Sequence, residues 1–264
     1  MSAGELAMVR GGVFLGGLVL FLALELIFPY RKPSVSKARR WLINLGLTAF
    51  NSVLLRLVFA GAAVAVSAHV TARHIGLLHL VELPPWLRLV LTIVFLDFML
   101  WVWHLLNHVT PLLWRFHRVH HTDLNMDVST ATRFHLGELA ASECIKLALI
   151  YLLGAELLGV VLFEAALVLS AQFHHSSLKA PAWLERLWQV LFVPPSMHRI
   201  HHSVVIKERN TNYGTIFSLW DRWLGILRRG VDQAGLKMGV GGHYDEKKLG
   251  LGRLLVMPFT PYVN

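Results

Sequence analysis

The sequence predicts an all-α protein: a multi-pass transmembrane helical bundle whose cytoplasmic, histidine-rich helical cap holds a dinuclear metal site. Three observations carry this expectation. Of 264 residues, 55% are hydrophobic and only 16% charged, with a mean hydropathy of +0.53, well below the quarter charged that is usual for soluble domains. Several apolar runs are long enough to cross a bilayer. Eight of the fifteen histidines fall in three groups, His104/His108, His117/His120/His121 and His198/His201/His202, and side chains three or four apart share one face of a helix. No tandem repeat or low-complexity linker divides the chain, so residues 1–264 read as a single integral membrane domain.

The first span is expected over residues 11–29. A weakly charged flank precedes it and no small-x-small cleavage site follows, so it reads as an uncleaved anchor. Glu25, near its end, is expected to face a partner helix or the interface. Arg31, Lys32, Lys37, Arg39 and Arg40 then place a basic loop in the cytoplasm and the N-terminus outside. A second span, 42–66, carries Asn44, Asn51 and Arg56 toward other helices. His69, His74 and His79, spaced by five, follow no ligand pattern and are expected at the interface or in solvent.

The third span, 86–103, delivers His104 and His108 at its end. Asp97 lies two turns before His104 on the same face, where a carboxylate could accept the second N–H of a ligand histidine and fix its ring. Pro111 breaks the helix and WRFHRVHH follows. Residues 139–173, interrupted at Gly154, read as a short or re-entrant helical hairpin that returns His174 and His175 to the cytoplasmic side. Pro181 to Val193 reads as an interfacial amphipathic helix with Trp183, Leu187 and Trp188 on its apolar face. Pro194-Pro195 ends it and MHRIHH begins. Segments 104–135 and 174–228 thus make up the cap, and 229–253 is a Gly- and charge-rich loop and tail.

The formal charge of +9 comes without a basic stripe interleaved with aromatics, so no nucleic-acid partner is expected. The excess suits lipid headgroups, and it could also dock an acidic electron-transfer protein. A single cysteine, Cys144, excludes an intrachain disulfide, a thiolate-held iron–sulfur cluster and a zinc ribbon. It is expected to be a small buried apolar residue. Any metal must therefore rely on nitrogen and oxygen ligands.

Zinc proteolysis wants a glutamate beside the first histidine of an i, i+4 pair, and His104-Leu105-Leu106-Asn107-His108 lacks it. Metal transport would scatter ligands through the spans, whereas these groups sit at helix ends on one side. Imidazole suits iron, and eight or more ligands exceed what one metal holds, so two metals are implied. A two-iron centre at a membrane surface can activate O₂ and attack an unactivated C–H bond of a lipid.

Residues of about 90–228 resemble the fatty acid hydroxylase/sterol desaturase superfamily of integral-membrane di-iron oxygenases, especially its compact bacterial members. The likeness rests on Asp97, His104-xxx-His108, WRFHRVHH, STATRFHLGE, FHHSS, PPSMHRIHHS and NTNYGTIFSLWDRWLGIL. It implies metal ligation by His104, His108, His117, His120, His121, His198, His201 and His202, with His175 as an additional ligand. His174 and His135 are expected to support the ligands from behind, and Asn212, Trp220 and Asp221 to brace the site. Leu105, Ser177 and the Trp223-Leu224-Gly225-Ile226 ending depart from the family pattern without removing a ligand.

The resemblance also implies two iron ions, for which zinc substitutes in purified protein, and O₂ as co-substrate. It implies a membrane lipid (sterol, fatty acyl or related chain) as the molecule hydroxylated or desaturated. No dinucleotide fingerprint appears, so electrons are expected from a separate redox protein or a small reductant such as a pterin. A bacterial inner membrane is the expected location. The competing expectation is a non-oxygenase, histidine-rich membrane protein that binds zinc or handles metal ions.

Overall fold

The computed structural model describes residues 3–261. The helices, in chain order, are α1 (Ala3–Ile27), α2 (Lys37–Phe59), α3 (Ala62–Arg73), α4 (Pro85–Val109), α5 (Pro111–His121), α6 (Leu136–Leu153), α7 (Leu157–His175), α8 (Ala182–Trp188), α9 (Pro195–His201), α10 (Ile206–Arg209), α11 (Leu219–Trp223) and α12 (Leu251–Val256). Among the described residues, β-pairing is confined to isolated bridges such as Phe192–Phe217.

Four segments are long and apolar enough to cross a membrane: Gly4–Ile27, Lys37–His79, Pro85–Val109 and Leu157–His175. At 25 residues each, α1 and α4 run about 37 Å, more than the ~30 Å hydrocarbon core. The bundle is polar inside and apolar outside. Leu15, Val19, Leu57 and Val58 are exposed, whereas Arg40, Asn44, Asn51 and Asp97 are buried. That distribution suits an integral membrane protein, because hydrocarbon solvates the apolar shell while polar groups find partners within.

Helix α2 starts at Lys37, where Ser36 Oγ caps the Arg39 amide. It stops at Ala60, and Gly61, at φ 76°, turns the chain into α3. Helical structure thus extends past residue 66, and His69 lies exposed on α3 stacked beside Tyr151. In α4, Pro85 occupies the first turn, where a missing N–H costs nothing, and Thr110 ends the helix ahead of Pro111, which opens α5. Unbroken between these prolines, α4 carries Asp97, Trp101, His104 and His108 on one stripe.

The α6–α7 hairpin turns at Gly154, whose φ of 75° suits glycine. There the Gly76 and Gly154 backbones lie so close that a Cβ on either would overlap the other loop. Glu156, just past the turn, takes a hydrogen bond from Arg88 Nη1 in the first turn of α4 at 3.1 Å. The hairpin turn therefore sits where α3 ends and α4 begins, at the end of the bundle opposite the histidines. Partway along, Glu164 of α7 receives Arg10 of α1 and Lys146 of α6, each at 2.6 Å, tying three helices together. Cys144 is exposed on α6 and not buried as expected, because this helix packs inward along its other side.

At the histidine end, the basic loop packs onto the cap. Arg40 is buried between Asp123 and Asp127, and Arg31 donates to the Leu236 carbonyl. Burial opposes ionisation of Asp123, yet the Arg40 guanidinium holds its carboxyl well below the usual range. Glu25 is also buried, accepting from Lys37 and from the Val128 and Ser177 amides. It knots the end of α1 to the cap and does not face the interface. Helix α8 is shorter than the amphipathic pattern suggests: beyond Trp188 the Gln189 and Leu191 carbonyls pair with Ser218. Trp183 and Leu187 remain exposed on it.

Candidate metal centre

Nine histidines converge in two adjoining buried groups. His104, His108, His117, His121 and His201 form one; His120, His175, His198 and His202 form the other, and within each group the ligand nitrogens lie within 4.8 Å of one another. Helices α5 and α9 divide their histidines in the same way. Each sends an i, i+4 pair to one group, His117/His121 or His198/His202, and its remaining histidine, His120 or His201, to the other. Because residues three or four apart share a helix face, the spacing by itself would aim each triplet at a single point. Consecutive helical residues diverge by about 100°, so His120–His121 and His201–His202 part instead, and each pair bridges the two groups. The His121 and His202 rings stack across that boundary at 4.5 Å.

Five of the nine rings are held from behind in one orientation. His104 Nδ1 donates to the Tyr213 carbonyl at 2.8 Å, His201 Nδ1 to the Thr211 carbonyl at 2.8 Å, and His175 Nδ1 to the Ala171 carbonyl at 2.7 Å. His117 Nδ1 donates to Glu138 Oε1 at 2.7 Å, and His108 Nδ1 lies 3.4 Å from Asn210 Oδ1. A carbonyl can only accept, so these contacts place the proton on Nδ1 and leave the Nε2 lone pair facing the centre. There, Nε2 of His104, His108 and His201 has no partner. His117 and His121 bring Nε2 atoms within 3.2 Å, and His175 and His198 within 2.9 Å. With the proton on Nδ1 of both rings, lone pairs at such separations repel unless a cation lies among them. Burial, reinforced by the neighbouring imidazoles, pushes His120, His121, His198, His201 and His202 well below the ordinary histidine range. They are neutral near pH 7, the form that ligates metal. The residues therefore fit two imidazole-bound cations.

The supporting residues depart from expectation in instructive ways. Asp97 does not reach a histidine. It accepts Trp220 Nε1 at 2.7 Å and the Ile216 and Phe217 amides at 3.2 Å, because α11 and its approach lie against that part of the α4 stripe. The carboxylate behind a clustered ring is Glu138, which the sequence reading passed over although it ends the STATRFHLGE stretch. Asp221, pushed up to about 6 by burial, accepts Trp101 Nε1 and the Tyr213 and Gly214 amides, each at 2.9 Å. Asn212, at φ 58°, donates to the Met197 and Arg228 carbonyls and accepts the Arg228 amide. It thereby ties α9 to the strap that follows α11.

His135 joins neither group. Its Nε2 donates to the Leu255 carbonyl and its Nδ1 accepts the Gly137 amide, so it caps α6 and positions Glu138 one turn on. His174 likewise stays outside, with its ring 4.0 Å from that of His198. His69, His74 and His79 are in neither group.

Beneath the groups lies a cavity of about 280 Å³. Leu100 and Trp103 of α4, Leu139 and Ser142 of α6, and Leu167 and Ala171 of α7 form its walls, and His104, His117, His120, His175 and His198 face it from above. An apolar chamber between membrane helices, closed at one end by two prospective metals, can present a hydrocarbon to them with little water present.

Comparison with known proteins accords with this geometry. The chain is 31% identical over 159 residues to ornithine lipid hydroxylase OlsE of Rhizobium tropici, covering 60% of this chain and 47% of that protein. It is 30% identical over 135 residues to human cholesterol 25-hydroxylase, covering 50% and 48%. It is also 30% identical over 173 residues to alkylglycerol monooxygenase of Caenorhabditis elegans, covering 62% and 32%. The chain thus spans about half or less of the length of these relatives. No solved structure matches it significantly. A family model described as fatty acid hydroxylase matches residues 89–226, just over half of the chain and the whole span of the clustered histidines, and the chain belongs to that family.

Proposed function

We propose that this protein is an O₂-dependent di-iron oxygenase that hydroxylates a membrane lipid, with desaturation as the variant outcome when a second hydrogen is lost. The observation that carries this reading is the junction of two imidazole groups with an apolar cavity inside a membrane bundle. His104, His108, His117, His121 and His201 would hold one iron, and His120, His175, His198 and His202 the other. Bound there, the metals supply O₂ activation and oxidation of a C–H bond. The chain itself binds the hydrocarbon, aligns it beneath the rings and keeps water out. Three relatives named as hydroxylases or monooxygenases of an ornithine lipid, cholesterol and alkylglycerols support hydroxylation of a lipid over other oxidations.

Electrons come from a separate redox protein or a small reductant. The basic segment 31–40 supports a cytoplasmic histidine end and an N-terminus outside. The test compares lipids from cells carrying the protein or His120→Ala, with iron and O₂ supplied, by mass spectrometry. A lipid gaining one oxygen, or losing two hydrogens, only with the intact protein is the expected result. Identical lipid profiles from two folded, metal-loaded proteins supplied with electrons would overturn the reading in favour of metal handling. Recovered zinc would not, since zinc also binds imidazole well.

A further inference from the structure

Three of the polar atoms left over among the cavity's lining residues are acceptors: Glu138 Oε2, Asn107 Oδ1 and His174 Nδ1. Glu138 uses Oε1 for His117 Nδ1, and its Oε2 is buried without a partner. Asn107 faces the same cavity from α4. Its amide nitrogen donates to the Trp103 carbonyl, which fixes the flip of the amide, and its Oδ1 is buried and unpartnered. His174, also lining the cavity, bonds the Thr215 backbone and leaves Nδ1 unpartnered. Only a carbonyl is available to accept there, so Nε2 carries the proton and Nδ1 is a bare lone pair. Glu138 is 6% exposed and Asn107 1%. A buried acceptor without a donor costs on the order of 1–3 kcal/mol, and native structures rarely tolerate several in one place.

From this we propose that Glu138 and Asn107 form a polar subsite beside the metal groups. It takes a lipid whose buried polar group is a hydrogen-bond donor, an alcohol or an ammonium, and it rejects carboxylates and phosphates. The two acceptors come from facing helices, α6 and α4, and one belongs to a carboxylate. A donor group placed at this subsite would supply a proton to either acceptor, whereas an anion placed there would face two acceptors, one of them a like charge. Glu138 therefore has two tasks: one oxygen sets the His117 ring and the other reads the polar group of the guest. This inference rests on the reading of the cavity as a lipid site and narrows the class of lipid that occupies it.

The test measures binding rather than turnover, so it stands apart from the oxygenase assay. The full chain, metal-loaded and in detergent or nanodiscs, is titrated with hexadecanol, hexadecylamine, hexadecanoate and hexadecyl phosphate. The alcohol and the amine are expected to bind at least about tenfold more tightly than the two anions, the yield of one good hydrogen bond. Glu138→Gln keeps an acceptor for His117 but turns an N–H₂ toward the cavity. The amine should then weaken and hexadecanoate strengthen, an inversion that a purely structural loss cannot produce. Should this variant fail to fold, Asn107→Leu removes the second acceptor and should cut the alcohol and amine preference severalfold. Equal binding of all four probes to the wild type, a preference for the anions, or parallel weakening of every probe in Glu138→Gln would overturn the proposal. Selective binding without any oxidised product would sink the oxygenase reading alone.

Discussion

Asp97 and Trp220 are joined by a 2.7 Å hydrogen bond from the indole Nε1, and one helical turn along α4 the arrangement is reversed, with Trp101 donating to Asp221 at 2.9 Å. Two acid–indole pairs, crossed between α4 and α11, thus lock the segment that supplies the Tyr213 and Thr211 carbonyls to the histidine rings. Asp97→Ala would leave the Trp220 indole and the Ile216 and Phe217 amides without an acceptor, whereas Trp220→Phe removes a single donor. Unsatisfied buried donors cost on the order of 1–3 kcal/mol each. Asp97→Ala should therefore lose roughly 3 kcal/mol or more, and Trp220→Phe about 1 kcal/mol. Unfolding in detergent reads the order of the two, and equal losses would show that the crossed pairs do not act as described.

His120 and His121 are neighbours in sequence but serve different groups, one of four histidines and one of five. His120→Ala leaves three imidazoles in its group, while His121→Ala leaves four in the other. Metal analysis is expected to find about one ion per chain in the first variant and close to two in the second. If both variants lose all metal together, the groups are not separable sites.

Acid should weaken the metal-free protein. His120, His121, His198, His201 and His202 titrate in the fold well below the ~6.5 of the unfolded chain, chiefly because burial disfavours their charged form. The unfolded state then takes up protons that the folded state refuses. Their stabilising contribution is complete above about pH 6.5 and is lost progressively as pH falls. Asp221, pushed up to about 6, works in the opposite sense between there and its unfolded value near ~3.9. Five histidines outweigh one carboxyl. The chelated protein should show a falling unfolding midpoint on acidification from neutral pH, and bound metal should offset the fall until protons displace it. A flat profile between pH 7 and pH 5 would contradict this.

Gly76→Ala tests the hairpin turn. Gly76 sits at φ 107°, and its added methyl would strike the Gly154 backbone. The strain should cost upwards of about 1 kcal/mol, while the metal content of the folded fraction stays at the wild-type level because the turn lies at the far end of the bundle. Loss of metal with unchanged stability is the outcome that would refute this placement.

Much of this protein is legible in one dimension. Hydropathy marks the apolar helices, because a span must bury its backbone hydrogen bonds over the full bilayer. Pro85 and Pro111 bracket α4 by removing N–H groups, and the i, i+4 spacings within α4, α5 and α9 pair the right histidines, because a helix fixes the angle between residues along its own axis. What the spacing does not contain is which element stands opposite each face. The meeting of His120 with His175 and His202, the pairing of Asp97 with Trp220 instead of a ring, the buried knot at Glu25, and the assignment of Glu138 to His117 each join residues brought together by packing between helices. Those contacts depend on crossing geometry and on the Gly76–Gly154 approach, and only the tertiary structure decides them.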